Sequence, residues 1–314
     1  MEHLLIPVDR ELIKAELTED KLLRTTNKAG NLIYITTASA SPNVMKEIAR
    51  IRELAFSLCG AGTGKALDMD EYDTNDGSYK QLFVWDPQNE EIIAGYRLIF
   101  GNEVAFKEDG QPDLVTSRMY KFSQKFIDEY LGSTIELGRS FVHPDYQSSK
   151  MGSKSIFSLD NLWDGLGAIT VLRPDMKYFF GKVTVYPTYD EIARELIFDF
   201  IDTYFTDKEN LVEPILPFKR TGLPEELRGL FTGENFKEEY RILNAKVRER
   251  GVNIPPLVNT YMGLSPEMKL FGYIEDNVEG GRIEFAIAVP IEKMHEEKKA
   301  RHIETFENLG NIKL

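Results

Sequence analysis

The amino-acid sequence predicts a mixed α/β fold, in which a mixed β-sheet carries helices on both faces. Segments rich in β-branched and aromatic residues alternate with segments whose apolar residues recur every three or four positions. The 314 residues are 42% hydrophobic, which is enough to bury a substantial core. The sequence has no internal repeats and no low-complexity tracts. Together these observations favour one elaborated α/β domain.

The first part of the chain predicts short helices, a strand and one long helix. The N-terminal extension, residues 1–30, holds predicted polar helices at Asp9–Leu17 and Glu19–Arg24. Leu32–Thr37 is rich in β-formers and therefore predicts a strand. Ser41 and Pro42 suit the first positions of a helix, which we expect to run to about Cys59 and to end at Gly60.

A hairpin and a further strand follow. Leu82–Trp85 and Ile92–Leu98 are apolar runs on either side of a Pro-containing turn, which predicts two paired strands. Phe122–Leu131 has the spacing of a helix, and the next strand begins at Glu136. This order of strand, helix, hairpin and strand indicates a sheet covered by helices.

The second half alternates helices and strands and ends in a charged tail. We predict helices at Ser153–Leu166, Tyr189–Phe205, Pro224–Leu230 and Phe236–Arg250, and strands at Tyr178–Val185, Leu257–Gly263 and Arg282–Pro290. Residues 207–255 are charged and broken by Pro and Gly, so we interpret them as a helical insertion after a core at 31–206. Residues 256–314 then supply strands that complete the sheet, followed by the tail.

Charge and composition exclude several classes of protein. The formal net charge of −13 argues against a general nucleic-acid binder, because no broad basic field would gather phosphates. The single cysteine, Cys59, fits a reducing cytosol, and its place on an apolar helix stripe predicts that it is core. The start of the chain lacks signal-peptide features, and no window reaches the roughly 18 apolar residues of a membrane span. We therefore expect a cytoplasmic protein that is soluble or, at most, peripheral to the membrane.

Residues 136–146 place charged side chains in a segment that otherwise has the pattern of a buried strand. Glu136, Arg139 and His143 lie within eight residues of one another. Burying charges costs free energy unless they are paired or used, so this conflict points to a functional site. In a regular strand Glu136 and Arg139 would face opposite sides, and a β-bulge would change that. Glu136 is a candidate general base; an ion pair with an arginine that only fixes the loops is the alternative.

The run ELGRSFVHPDYQ, residues 136–147, resembles the central strand of GNAT-type N-acyltransferases. More narrowly, it is similar to the branch that takes acyl groups from acyl carrier protein to make ornithine and glycine lipids. Members of this branch are often labelled hemolysin-like and are related to the acyl-homoserine-lactone synthases. The resemblance covers residues 32–206 and 257–294. It implies the GNAT fold with a helical insertion, and a β-bulge near Gly138.

Arg52 interrupts the apolar stripe of the long helix. It either extends past its neighbours into solvent or meets a carboxylate or an anionic substrate group inside the fold. In the related synthases an Arg is followed four residues later by a Phe, and Arg52 and Phe56 match that spacing. The resemblance implies that both residues belong to the acceptor site.

Asp68, Asp70, Glu71 and Asp73 form an acidic cluster in a predicted loop. The cluster lacks the Gly and Glu spacing of a calcium loop, so we predict no metal. A plain solvated loop is one alternative. The resemblance implies instead that the loop, with Asp70 and Asp73, shapes the amine-acceptor pocket and pairs with the helix arginine. Carboxylates suit this role because they attract a cationic amine.

Three further residues extend the predicted site. Arg97 is either exposed on the outer face of the sheet or binds the acceptor carboxylate or the acidic loop, and the family's similar G-x-x-R-L strand favours the second reading. His143 either caps the turn before Pro144 or contributes to the substrate site as an alternative base. Tyr189 is a candidate to protonate the leaving thiolate. Because no Ser-His-Asp or Cys-His set is apparent, direct attack by the amine is preferred to an acyl-enzyme.

The donor loop distinguishes coenzyme A from acyl carrier protein. Relatives that use acetyl-CoA carry a Q/R-x-x-G-x-G/A loop around the pyrophosphate, whereas Gln147–Ser153 keeps a single glycine at a shifted position. The difference favours a donor that has only a phosphopantetheine arm. The predicted donor-binding residues are Lys150, Gly152, Ser153 and Lys154, and Lys177 and Lys182 could add to a local basic patch.

The resemblance implies an N-acyltransferase that moves a long-chain 3-hydroxyacyl group to the amine of glycine or ornithine in aminolipid synthesis. Glu136 and Arg139 would be the catalytic residues, and backbone N–H groups after Arg139 would hold the oxyanion. No permanent cofactor is expected; the co-substrate is the phosphopantetheine thioester of acyl carrier protein, or acyl-CoA. Acyl carrier protein and a small amino acid are the expected partners, nucleic acid is not, and peripheral contact with the inner membrane is left open. The alternatives are a CoA-dependent N-acetyltransferase and a non-catalytic binding protein on the same scaffold.

Overall fold

A computed structural model describes residues 6–75, 77, 79–147, 153–186, 188–276, 282–307, 312 and 314, and for residues 153–159 it describes the backbone alone. The chain forms two compact units. Unit 1 consists of residues 1–104, 135–176 and 296–314, and unit 2 of residues 105–134 and 177–295. All residues of the predicted acceptor site belong to unit 1.

The elements follow one another in an alternating order. The strands are β1 (Leu22–Thr25), β2 (Leu32–Thr36), β3 (Lys80–Asp86), β4 (Glu91–Phe100), β5 (Tyr120–Phe122), β6 (Thr134–Val142), β7 (Tyr178–Val185), β8 (Val212–Pro214), β9 (Lys269–Asp276) and β10 (Arg282–Pro290). The helices are α1 (Arg10–Glu16), α2 (Pro42–Leu58), α3 (Glu71–Thr74), α4 (Ser153–Leu172), α5 (Glu191–Phe205), α6 (Phe236–Glu249), α7 (Pro256–Met262) and α8 (Glu296–His302).

The strands of unit 1 pair in the order β1-β2-β3-β4-β6, and each of these pairs is antiparallel. Helix α2 packs on one face, where Tyr34 and Phe83 stack with ring centroids 5.6 Å apart. Helix α4 packs on the opposite face, because a Cβ added at Gly165 would lie 2.9 Å from Ile33, the neighbour of Tyr34 in β2. The sheet of unit 1 therefore has helices on both faces, as predicted.

Unit 2 has its own strands and helices. Strands β7, β10 and β9 pair antiparallel in that order, and β5 pairs with β8. The ring of Phe198 in α5 lies 4.2 Å from that of Tyr273 in β9, centroid to centroid. On another side of α5, Phe200 contacts Phe236 of α6. The predicted α6 thus packs on α5 through aromatic side chains.

Two predicted elements are wrong, and a third is right except at its first residues. Residues 19–24 were expected to be helical, but a short 3-10 turn is followed by strand β1, which pairs with β2. Residues 122–131 were predicted to be a helix: Phe122 instead ends strand β5, and residues 124–131 are helical as predicted, with a π-helical turn at Phe126–Tyr130. The segment at 257–263 is helix α7 rather than a strand, because Pro256 at its first position favours helix entry over strand pairing. The strand that pairs with β10 on the side away from β7 is instead β9.

The long helix α2 was predicted correctly in extent but not in every contact. It begins at Pro42, and the backbone of Gly60 just beyond its end has φ +75°, which suits glycine. The Ser41 side chain does not cap the helix and instead shares a hydrogen bond of 2.7 Å with Thr36. Cys59 is exposed, so the prediction that it is core is wrong.

The α/β class is confirmed. The N-terminal extension is part of unit 1, since Ile13 of α1 is buried among the side chains of α2. Within the described ranges, none of the helices combines the length and the apolar character that crossing a lipid bilayer requires.

Candidate active site

A β-bulge reshapes strand β6 at the centre of the predicted site. Gly95 of β4 pairs with Phe141, and Arg97 pairs with Gly138. One residue of β4 therefore faces two residues of β6, Arg139 and Ser140. Arg139 has φ +48°, in the left-handed region that residues other than glycine rarely adopt. The bulge lies next to Gly138, where the family resemblance implied it.

The bulge brings Glu136 and Arg139 to the same face of the sheet. A Cβ on Gly138 would lie 3.6 Å from Arg97 Nε, so Gly138 and Arg97 share a face. Glu136 precedes Gly138 by two residues in regular strand and faces the same way. Arg139 lies 3.8 Å from Asp70, which Arg97 also contacts. The opposite orientation expected of a regular strand is thereby removed.

Arg52 is completely buried and is held by two carboxylates of the acidic loop. Its two terminal nitrogens donate to the two oxygens of Asp73 at 3.0 and 3.2 Å. Its Nε donates to Asp68 at 3.2 Å. Of the two readings of Arg52, the structure shows the internal ion pair and not an extension into solvent. Arg52 and Asp73 are both buried beneath the surface. Direct contact with an acceptor is therefore predicted only for the more exposed residues of the cluster, Asp70 and Arg139.

Arg97 ties the acidic loop to strand β4. Its Nη1 donates to Asp70 at 2.8 Å and lies 3.4 Å from Asp73. The loop is also organised from within: Asp70 caps helix α3 by accepting from the backbone of Tyr72 at 3.1 Å. Gln81 of β3 donates to Asp73 at 3.0 Å. Arg97 is therefore buried against the loop rather than exposed on the outer face of the sheet.

The arginines control the ionisation of Asp73. Burial alone would raise the pKa of Asp73, but the positive charges of Arg52 and Arg97 outweigh it and lower the pKa to about 2. Burial would lower the pKa of Arg97, but the charges of Asp73 and Asp70 outweigh that effect and raise it. The two arginines thus favour the ionised form of Asp73. In the described part of the chain, no cluster of His, Cys, Asp or Glu has the composition of a metal site.

Arg139 is the most loosely held arginine of the cluster. Its Nη2 lies 3.3 Å from Asp68 and 3.8 Å from Asp70, which are ion-pair distances without a described hydrogen bond. Its buried Nε has no hydrogen-bond partner. The guanidinium lies 5.9 Å from the centre of the Phe56 ring, and 22% of the side chain is exposed. Burial lowers the pKa of Arg139, although the charge of Asp68 opposes this effect. Arg139 therefore has donors available to a ligand.

Glu136 is only 3% exposed and accepts a hydrogen bond from Tyr79. The Tyr79 hydroxyl donates to Oε2 of the Glu136 carboxylate. The Tyr79 ring in turn lies 5.3 Å below the guanidinium of Arg97. The sequence predicted Glu136 but not Tyr79, because a tyrosine before a β-rich segment has the pattern of ordinary core.

His143 takes the turn-capping position. Its Nδ1 accepts a hydrogen bond from the backbone N–H of Asp145 at 3.2 Å and so caps the turn Pro144–Tyr146. Burial lowers the pKa of His143 despite the nearby charge of Asp145, so the ring is neutral at neutral pH. The histidine fixes the exit of strand β6, and a role in substrate binding remains a prediction.

The predicted donor site falls largely on residues whose placement is not described. Lys150 and Gly152 lie outside the described residues, and Ser153 and Lys154 begin helix α4 with only their backbone described. In unit 2, Lys182 donates to the buried Glu284, so its charge is matched within its own strand pair. The Tyr189 hydroxyl donates to the backbone of Asn253 at 2.8 Å, and burial raises its pKa to about 12.

Comparisons with known proteins give one consistent result. A family model described as an acetyltransferase (GNAT) domain matches residues 51–155. Glycine N(alpha)-acyltransferase of Bacteroides thetaiotaomicron is 54% identical over 306 residues, which cover 98% of this chain and 91% of that protein. The enzyme of the same name from Phocaeicola vulgatus is 52% identical and is matched over 98% of this chain and 94% of its own.

The solved structures that match the chain are more distant. A CoA-dependent acyl-homoserine lactone synthase matches with a TM-score of 0.37 and 10% identity, covering 90% of this chain and 93% of that one. An aminoglycoside 6'-N-acetyltransferase complexed with coenzyme A matches with a TM-score of 0.33 and 10% identity, covering 82% of this chain and 96% of that one.

Proposed function

Because the chain belongs to the family of glycine N(alpha)-acyltransferases, we propose that it acylates the amine of glycine with a long-chain 3-hydroxyacyl group carried by acyl carrier protein. The resemblance to GNAT-type N-acyltransferases is confirmed, and the chain is an N-acyltransferase with the GNAT fold. The non-catalytic alternative is set aside on the same grounds. Glycine, rather than ornithine, is now the favoured acceptor.

The reaction is a direct transfer. The free amine of glycine attacks the thioester carbonyl, an N–C bond forms, and the C–S bond breaks to release the phosphopantetheine thiolate. Glycine is an ammonium ion at neutral pH and must lose a proton to become nucleophilic. Glu136 accepts that proton, directly or through water. The attacking nitrogen loses a second proton as the amide forms, and the released thiolate takes up a proton in exchange, so the overall reaction forms an amide and a thiol.

One observation carries the assignment of the acceptor site: the bulge at Arg139 places a carboxylate and a partly exposed guanidinium on one face of β6. An α-amino acid needs such a pair, because its amine must meet a base while its carboxylate meets a cation. Arg52 and Arg97 both donate hydrogen bonds to the acidic loop, whereas Arg139 lies only at ion-pair distances from it. Arg139 therefore binds the glycine carboxylate.

The acidic loop supports this arrangement. Asp73 acts from beneath, by holding Arg52 and Arg97 in place. Asp70 is 20% exposed and is the loop carboxylate that can attract the ammonium group before it is deprotonated. Phe56 lies beside Arg139 and limits the space around it. In β6 the bulge leaves its extra residue outside the regular ladder, which makes backbone N–H groups there available to an oxyanion.

The donor assignment rests on the loop after β6. Gln147–Ser153 keeps a single glycine, so the pyrophosphate-wrapping pattern of acetyl-CoA enzymes is incomplete. A carrier protein presents a phosphopantetheine arm without the adenosine pyrophosphate of coenzyme A, and such a donor does not need that loop. The product would be an N-acyl glycine, which a second acyltransferase would O-acylate on its 3-hydroxyl group to give an aminolipid. A location in the cytoplasm, with peripheral contact at the inner membrane, fits this product.

The test is a direct assay of transfer. Purified protein is incubated with 3-hydroxypalmitoyl-acyl carrier protein, palmitoyl-CoA or acetyl-CoA together with glycine, ornithine or serine, and products are identified by mass spectrometry. We expect N-acyl glycine from the carrier-protein donor. The Glu136→Gln variant should lose activity by roughly 10²- to 10⁴-fold, while Glu47→Gln, a change at a buried carboxylate that pairs with Arg50, should not. Product from acetyl-CoA alone would replace the carrier-protein donor with coenzyme A.

A further inference from the structure

The buried position of Glu136 creates a problem for a general base. A carboxylate removed from water tends to hold its proton, because burial disfavours the charged form. A protonated Glu136 cannot accept a proton from glycine. With 3% of its surface exposed, Glu136 needs neighbours that favour its ionised form. The structure provides one such neighbour in Tyr79.

Tyr79 lies in a connecting segment, yet it is buried and contacts several neighbours. It is 1% exposed, and its backbone N–H donates to the carbonyl oxygen of Tyr72 at 2.8 Å. Its ring meets the Tyr72 ring edge-on at 5.7 Å and lies 5.3 Å from the Arg97 guanidinium. These contacts hold the ring on the side of the sheet where Glu136 lies. The hydroxyl donates to Oε2.

We propose that Tyr79 is a positioning residue for acyl transfer, which keeps the Glu136 carboxylate ionised and aimed, and which links it to the acidic loop. The proposal rests on the proposed role of Glu136 as the base. Tyr79 does not touch the acceptor; it acts through Glu136. The ring of Tyr79 packs against Tyr72 of helix α3, so the position of the acidic loop also determines where Tyr79 holds the Glu136 carboxylate.

The chemistry favours a phenol in this position. A hydroxyl donor stabilises a carboxylate without adding a full positive charge, so the carboxylate keeps enough basicity to take a proton. A lysine or an arginine bound directly to Glu136 would stabilise the charged form more strongly and weaken the base. Arg97 is instead held behind the ring of Tyr79, and its charge is matched by Asp70 and Asp73.

The charged and titratable groups on this face of unit 1 come from several elements. They are Tyr79 before β3, Arg97 of β4, Arg139 of β6, Arg52 of α2, and Asp68, Asp70, Asp73 and Tyr72 of the acidic loop and α3. The aspartates pair with the arginines, and the hydroxyl of Tyr79 donates to Glu136.

The test compares Tyr79→Phe with wild type across pH, with glycine as acceptor and the best acyl donor from the transfer assay. Removing the hydroxyl should shift the acidic limb of the kcat/KM profile to higher pH by about one unit. The ratio of wild-type to variant kcat/KM should approach roughly tenfold on the acidic limb, below the pKa of the base in both proteins, and should approach one as the pH is raised towards neutrality and beyond. The KM for glycine should change little. Tyr34→Phe is the matched control, since it removes a buried hydroxyl from the same sheet, and its profile should overlay that of wild type.

Two further variants separate this proposal from the role of Glu136. In a Tyr79→Phe/Glu136→Gln double variant, the loss should equal that of Glu136→Gln alone, because Tyr79 acts through the carboxylate. If Glu136→Gln keeps full activity, the base assignment fails. If Glu136→Gln is inactive but Tyr79→Phe keeps the wild-type pH profile, the positioning role of Tyr79 fails and the base assignment stands. A uniform loss at all pH values would also overturn the positioning role, because a purely structural effect has no reason to recover.

A spectroscopic measurement covers the case in which Tyr79→Phe does not fold. The infrared difference spectrum between wild type and Glu136→Gln isolates the signal of this carboxyl group. At neutral pH we expect the band of an ionised carboxylate. The band of a protonated carboxylic acid at neutral pH would overturn the proposal.

Discussion

Arg52 binds Asp73 through both ends of its guanidinium, with N–O distances of 3.0 and 3.2 Å, and both side chains are completely buried. Replacing one partner of a buried ion pair lowers the stability of the fold strongly, because the remaining charge has lost its partner and cannot reach water. This pair joins helix α2 to the acidic loop and so sets the position of the loop for Arg97 and Arg139.

Asp73→Asn should therefore destabilise unit 1. We expect the free energy of unfolding to fall by about 3–5 kcal/mol, because Arg52 and Arg97 both lose a charged partner. Chemical denaturation followed by circular dichroism measures this. Asp128→Asn, a change on an exposed turn of unit 2, should leave the free energy within about 0.5 kcal/mol of wild type. Equal stability of the two variants would contradict the importance of the buried pair.

The same carboxylate gives a prediction about pH. The pKa of Asp73 is lowered from 3.8 to about 2 in the folded protein, so its contribution to stability is present above about pH 4 and is lost as the pH falls towards 2. A shift of this size corresponds to about 2 kcal/mol. Comparing the unfolding free energies of wild type and Asp73→Asn from pH 6 to pH 2 should show the difference shrinking over that window. A difference that stays constant down to pH 2 would mean that the pKa is not lowered.

Arg139→Gln should weaken the binding of glycine. We expect the KM for glycine to rise by roughly 10- to 100-fold, because a charged hydrogen bond to the carboxylate is lost. Steady-state kinetics with glycine and with glycinamide, which lacks the carboxylate, separate this effect from a general loss of activity. Wild type and variant should differ much less with glycinamide. The same loss with both acceptors would place the carboxylate elsewhere.

Two glycines in the paired strands at the bulge should respond differently to alanine. A Cβ at Gly95 would lie 2.6 Å from the Phe141 ring, so Gly95→Ala should cost about 1–3 kcal/mol of stability through overpacking. A Cβ at Gly138 would lie 3.6 Å from Arg97 Nε, an ordinary contact, so Gly138→Ala should be nearly neutral for stability. Thermal unfolding of both variants checks this, and the reverse order would contradict the register of β4 and β6.

The sequence indicates the clustered charged residues more clearly than it indicates the local structure around them. Glu136, Arg139, Arg52 and the acidic loop stand out because charged residues interrupt apolar patterns, and the structure brings them into one cluster. Tyr79 gives no such signal: tyrosine is common in cores, and only the three-dimensional position of its hydroxyl distinguishes it. The residue pattern of β6 does not indicate the bulge either, and only the family resemblance implied it. A bulge depends on which residues of β4 and β6 are opposed, and that register is a property of the sheet and not of either strand.

The errors in secondary structure have a related cause. Strand β1 has only four residues, and residues 22–25 form a strand because the edge of β2 offers hydrogen-bond partners. Helix α7 contains Val258, Thr260 and Tyr261, all β-formers, yet Pro256 and the fold around it favour a helix. The prediction that Cys59 is buried was wrong because the C-terminal end of α2 extends beyond the residues that cover its apolar stripe.

The backbone of Arg139 has a consequence for how this position can evolve. A residue with φ +48° in a strand is better suited to glycine or asparagine, which adopt that conformation at lower cost. Only an arginine, however, provides the guanidinium. In a library randomised at position 139, selection for folding alone would enrich small residues, whereas selection for growth that depends on the acylated product would retain arginine. The two selections would thus favour different residues at position 139. The difference in stability between the residue favoured by each selection would measure the cost of keeping arginine there.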